Sequence, residues 1–140
     1  MPDEAEPWFF ERGCGPDVSF RLGRIVTLVD VVVVNPLAES YADTEAMMPG
    51  ATLLFAEAAK DRKYLVPSAQ RGMAFFPLAL TTFGTLGQRS LTLLRQCSRF
   101  TADPKGFLAH MQMALSVAVH TGNARMLLAA TSRWWEFGIR

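Results

Sequence analysis

The sequence predicts an α/β chain: a small mixed β-sheet with one helix packed across it, followed by three C-terminal helices. Three observations carry that reading. The run Ile25–Val34 is nearly all β-branched and only ten residues long, which suits a strand buried on both faces better than a helix. Ala51 to about Val66 is dominated by Leu, Ala, Glu, Lys and Arg, the residues that lose least on entering a helix. After Thr82 the apolar spacing turns helical. Arg89–Phe100 carries Leu91, Leu94 and Cys97 on one face.

The elements follow in order. Residues 1–13 form an irregular lead-in that Trp8, Phe9 and Phe10 tie to the body, with Gly13, Gly15 and Pro16 breaking it. Asp17–Arg21 and Arg24–Val34 read as two strands of a hairpin joined through Leu22-Gly23. Asn35-Pro36 closes the second strand. Residues 37–50 are polar and end in Pro49-Gly50, a loop with one helical turn. Pro67 marks the end or a kink of the following helix. Met73–Thr82 is a third strand, with Pro77 placing it at an edge or a bulge. Asp103-Pro104 looks like a cap followed by proline at the first helical position, opening a helix that Gly122-Asn123 stops near His120. A last helix carries Met126, Leu127, Leu128 and Trp134-Trp135.

A length of 140 residues suits one domain with a sizeable core, divided into the lead-in (1–13), a core (14–82) and a helical part of the same domain (83–140). No apolar run approaches the roughly 18 residues that would span a bilayer. The acidic start lacks the pattern of a signal or transit peptide, so an intracellular setting of unspecified compartment is expected. Cys14 and Cys97 read as two independent thiols, with neither a disulfide framework nor a zinc site behind them. The net charge of +1 hides an asymmetry. Residues 1–83 carry seven Lys/Arg against eleven Asp/Glu, and residues 84–140 carry seven against two, so a basic half could steer a polyanion.

One residue breaks the apolar strand. Asp30 places a carboxylate in its middle, where an unpaired charge would cost several kcal/mol, so a cation, a hydrogen-bond network or a metal must stabilise it. Asp17, one short strand earlier, could face the same place. Two carboxylates at one sheet edge form a site for a hard divalent cation, which takes oxygen ligands and retains water. The same spacing admits a structural reading in which Asp17 caps a turn after Pro16 and Asp30 pairs with an arginine. Lys60, Lys63 and Tyr64 share one helical face. A lysine beside metal-binding carboxylates could meet charge developing on an attacked phosphate. Alternatively, Lys60 pairs with Glu57 and Lys63 is solvated.

Pro16-Asp17, the strand with Asp30-Val-Val-Val, and Lys60-x-x-Lys63-Tyr64 together resemble the restriction-enzyme-like endonuclease of site-specific non-LTR retrotransposons, a branch of the PD-(D/E)XK nuclease superfamily. The likeness continues in Phe76-Pro77-Leu78 before Gly84-Thr-Leu-Gly87, and in Leu115-Ser-Val-Ala before Gly122-Asn-Ala-Arg, covering roughly residues 14–130. It implies a PD-(D/E)XK-like core over residues 14–82 and a DNA endonuclease that hydrolyses phosphodiesters. Asp17 and Asp30 would hold magnesium or manganese, and Lys60 would join them in catalysis, supported by Lys63 and Tyr64. The lysine usual two residues after the second acid is absent, since position 32 is Val. In this branch it is moved to the following helix, the place of Lys60. The chain carries no reverse transcriptase and no zinc knuckle, which marks it as a fragment, relic or exapted copy of such a module. An exapted copy would have DNA as its partner if active, and otherwise other proteins, as a structural or interaction subunit of a larger assembly.

Overall fold

The computed structural model describes residues 15–136 of the chain, with side-chain surroundings as far as Thr131. The expected contacts of Trp8, Phe9, Phe10 and Cys14, and those of the Trp134-Trp135 side chains, lie outside the described residues. The described part is mixed α/β, with three strands in one sheet and four helices.

Strands β1 (Val18–Leu22) and β2 (Ile25–Val34) form the expected antiparallel hairpin, with Leu22 opposite Ile25. Gly23, at φ 61°, occupies the first central position of its two-residue turn, where a side chain would be strained. Strand β3 (Ala74–Thr81) lies parallel to β2 on its other side, from Thr27↔Ala74 to Val34↔Thr81. Pro77 therefore sits on an edge strand, where its missing N–H removes no central ladder bond. Only the middle of β2, Thr27 to Asp30, is buried on both faces; Val31 and Val33 are exposed. The burial expected along the whole strand fails there because β1 reaches only as far as Val29.

After the short helix α1 (Ala42–Met47), helix α2 (Ala51–Gln70) covers one face of the sheet. Tyr64 packs on Leu28 and Phe75 in this layer, its ring 5.1 Å from that of Phe75. The start of α2 is held from α1: the Glu45 carboxylate accepts hydrogen bonds from Gly50 N, Thr52 N and the Thr52 hydroxyl. Those bonds hold the Glu45 carboxyl below the usual carboxylate range. Pro67 does not end α2. It forfeits one bond to the preceding turn, but the helix continues to Gln70. The stop comes from Gly72, at φ 70°, with Gly72 N bonding Ala69 O and Met73 N bonding Ser68 O, the paired bonds of a Schellman motif.

On the other face, Val29 and Phe76 pack against Leu93 of helix α3 (Gln88–Ser98), with Phe20 and Cys97 beside them. Burial raises the Cys97 thiol pKa. Helix α4 (Pro104–Glu136) then runs unbroken for 33 residues. Two helices, not three, thus follow the third strand among the described residues. Gly122-Asn123 does not interrupt α4, because Ala124–Ala130 are nearly all strong helix formers and outweigh a glycine penalty of about 1 kcal/mol. Asn123 is used instead to fasten α4 to the sheet, its amide donating to Thr82 O at 2.8 Å. No helix among the described residues is long and apolar enough to cross a membrane.

Candidate active site

Successive side chains of a strand alternate in face, so Leu28 and Asp30 point to α2 while Val29 points to α3. Asp30 is only 4% exposed. Its Oδ2 stands 2.5 Å from Lys60 Nζ, one turn before Tyr64 on α2. That oxygen has no partner in hydrogen-bond geometry, so the contact is ionic rather than a directed hydrogen bond. The Lys60 side chain is 29% exposed and reaches the buried acid from the solvent side. Pro77 is the cross-strand neighbour of Asp30 on β3 and is itself buried, giving the acid an apolar wall.

Asp17 immediately precedes β1. The ladder ends at Val18↔Val29, and exposed Asp17 lies at a bend just outside it. Its Oδ2 accepts the Val31 N–H at 2.7 Å. That bond ties Asp17 to the backbone of the residue after Asp30, while α2 brings Lys60 to Asp30 itself. Lys63 and Tyr64 are placed differently. Lys63 is exposed with its ammonium 4.9 Å from the Tyr64 ring centroid, and Tyr64 is a core residue. Any support they give Lys60 is through the packing and charge of α2.

The structural alternative for Asp30, a pair with a basic side chain, is present, and the Glu57 pair for Lys60 is not. Lysine, not arginine, faces Asp30, and Glu57 turns away from Lys60. Buried Glu57 instead caps α3, its Oε1 accepting from Arg89 N at 2.9 Å and Ser90 N at 3.3 Å. Burial raises the Glu57 carboxyl above the usual carboxylate range, against the opposing effect of those two bonds and of the Arg89 charge. Arg89 lies 3.2 Å from Asp61, donates to Phe75 O at 3.0 Å and stacks over the Phe76 ring. Ser90 Oγ accepts from Ala79 N at 2.8 Å. Glu57, Asp61, Arg89 and Ser90 form a hub that fixes the pitch of α2, and hence Lys60, against the sheet. Sequence reasoning passed over it, although Glu57, Asp61, Tyr64 and Ser68 share one helical stripe, a sign that Glu57 faces inward.

No three His, Cys, Asp or Glu residues converge as a metal group among the described residues. Two carboxylates nevertheless suffice for a hard divalent ion that completes its shell with water and phosphate oxygens. The Asp30 oxygen without a hydrogen bond is the one that Lys60 Nζ meets at 2.5 Å, so an ion there would share it with the ammonium. No known family model, curated protein or solved structure matches the chain.

Proposed function

We propose that the chain is a metal-dependent DNA endonuclease domain of the PD-(D/E)XK type, derived from a retroelement, with Asp17, Asp30 and Lys60 as its site. The observation that carries this reading is Asp30, a buried carboxylate facing a helix lysine, with a second acid, Asp17, bonded to the backbone N–H of the next residue. Asp17 and Asp30 would hold magnesium or manganese, which when bound activates water and polarises the phosphate. Asp30 orients Lys60 across the gap between β2 and α2. Lys60, partly open to solvent, can turn its ammonium to a phosphate oxygen as negative charge builds there. Removing one such donor typically slows the chemical step by about 10²–10³-fold.

Supercoiled plasmid incubated with the purified protein and magnesium or manganese is expected to be nicked. Lys60→Gln should lose about 10²–10³-fold in rate while DNA binding weakens far less, because one phosphate contact is a small part of a polyanion interface. Absence of cleavage by folded wild type across a metal titration would overturn the proposal.

A second reading, a catalytically inactive nuclease-like fold serving as an interaction subunit, rests on a different observation. Met113, Val117 and Leu128 form one stripe of α4, and all three are mostly exposed. Contiguous exposed apolar surface commonly marks a protein interface. Under this reading wild type does not cleave, and the stripe is covered by another protein.

A further inference from the structure

The fold sorts charge between the two ends of the sheet. Strand β3 starts opposite Thr27, so the Arg71-Gly72 link from α2 lies at the same end as the β1–β2 turn. Helix α3 finishes there too, with the Phe100 ring 3.4 Å from where a Cβ on Gly23 would stand. Residues 20–26, 67–74 and 95–105, which meet at this end, carry five arginines and one lysine against Asp103 alone. The Asp103 carboxylate is already engaged, accepting from Gly106 N at 3.0 Å. Residues 35–50, beyond the other end of β2, carry Glu39, Asp43 and Glu45 with no Lys or Arg.

The basic end is open to solvent on both sides of the sheet. Arg21, Arg24, Arg71, Arg95 and Arg99 are all exposed, and Phe100 among them is 65% exposed. Arg21 pairs across the strands with Val26, which packs in the layer under α2, so Arg21 belongs to that face. Arg99 and Phe100 lie on the α3 side, and Arg24 sits in the turn between the two faces. A planar guanidinium matches a pair of phosphate oxygens, and an aromatic face in a basic surface is a platform for an unpaired base. The same surface leads toward the candidate site. Lys60, Lys63 and Arg71 fall within about 80° of one another around α2. Arg24 is six residues from Asp30 along β2, about 20 Å.

We infer that this end of the molecule docks single-stranded nucleic acid, with its phosphates on the arginines and one base stacked on Phe100. The inference deepens the nuclease reading, on which it rests for the choice of nucleic acid among polyanions. It assigns the strand that flanks the cut, running past Arg71 and Lys63 toward Lys60. The acidic far end repels such a strand, which sets the side from which it approaches. Duplex fits this surface less well, because paired bases leave no open face for Phe100.

The test is fluorescence anisotropy of a labelled oligothymidylate with the whole chain in chelator, where metal-dependent cleavage is silent. Arg24→Ser combined with Arg99→Ser is expected to weaken binding about tenfold or more. It should also flatten the slope of log affinity against log salt by about 1.4, the value for two lost phosphate contacts. Phe100→Ala should weaken binding by about 5–150-fold, the loss of one stacked base, and leave binding of a blunt duplex unchanged. Phe100→Trp should retain binding, which separates stacking from the packing of Phe100 on Gly23. Arg125→Ser, near the Asn123 bond at the far end of the sheet, should change affinity less than about twofold. Arg24, Arg99 and Arg125 are exposed, so their variants should melt like wild type. Failure of folded wild type to bind the oligonucleotide, even if phosphatidylserine vesicles capture it instead, would overturn the inference. So would indifference to the arginine pair, an equal loss in Arg125→Ser, or a Phe100→Ala effect that is absent or shared by duplex. Binding is read without cutting, so a failure to nick plasmid would sink the nuclease reading alone.

Discussion

At the scale of single residues, the Asp30–Lys60 pair is asymmetric, and the asymmetry can be measured. Lys60 is partly exposed and can swing into water when its partner is removed, whereas Asp30 cannot. Without divalent metal, Lys60→Ala is expected to cost about 3–5 kcal/mol, the range for orphaning a buried charge. Asp30→Asn should cost less, about 1–3 kcal/mol. Urea unfolding in chelator measures both, and a larger loss for Asp30→Asn would contradict the described burial. Magnesium should restore stability to Lys60→Ala but not to Asp30→Asn, since only the first keeps both acids. Glu57 supplies a pH dependence. Its folded-state pKa is raised, chiefly by burial, so the folded protein holds the Glu57 proton more tightly than the unfolded chain does. Its contribution is therefore fully present below the unfolded pKa and is lost as pH rises through the folded value. Glu57→Gln removes that ionisation, so its stability relative to wild type should improve as pH rises from about 4 through the usual carboxylate range. A relative stability that stays flat, or falls with rising pH, would show that the carboxylate is not desolvated.

At the scale of elements, both helices that bracket the site begin with a glycine and borrow a carboxylate from elsewhere. Glu45 serves α2 and Glu57 serves α3. A Cβ at Gly87 would run into the Glu57 carboxylate, so Gly87→Ala should displace the cap and cost about 1–2 kcal/mol by thermal melting. Gly122 is the opposite case. It is helical and has open space where a Cβ would stand, so Gly122→Ala should stabilise α4 by up to about 1 kcal/mol. A loss there would mean that the α4 backbone needs glycine at that position. These contrasts also show what the sequence could reveal. The β-branched run, the hairpin glycine and the Leu/Ala-rich helix were legible because each is a local signal. The continuation of α2 past Pro67 and of α4 past Gly122-Asn123 was not. There, strong neighbouring helix formers and tertiary fastening, through Met73 packing and the Asn123 bond to Thr82, override a local breaker.

At the scale of the whole molecule, a three-stranded sheet with α2 on one face and α3 on the other sets Asp30 against Lys60, with Asp17 bonded to the next backbone N–H of β2. The two acids could be read from the hairpin spacing, and Lys60 from its helix. That Lys60 would face Asp30 rather than Glu57 required the rotation of α2, which the hub around Arg89 sets through long-range contacts. A crystal of the full chain soaked in manganese tests the central claim most directly. The account predicts one anomalous peak bound by an oxygen from Asp17 and another from Asp30, with Lys60 alongside, and no such peak in Asp30→Asn. At saturating manganese, an empty site between those two acids, or a peak that survives Asp30→Asn, would contradict it.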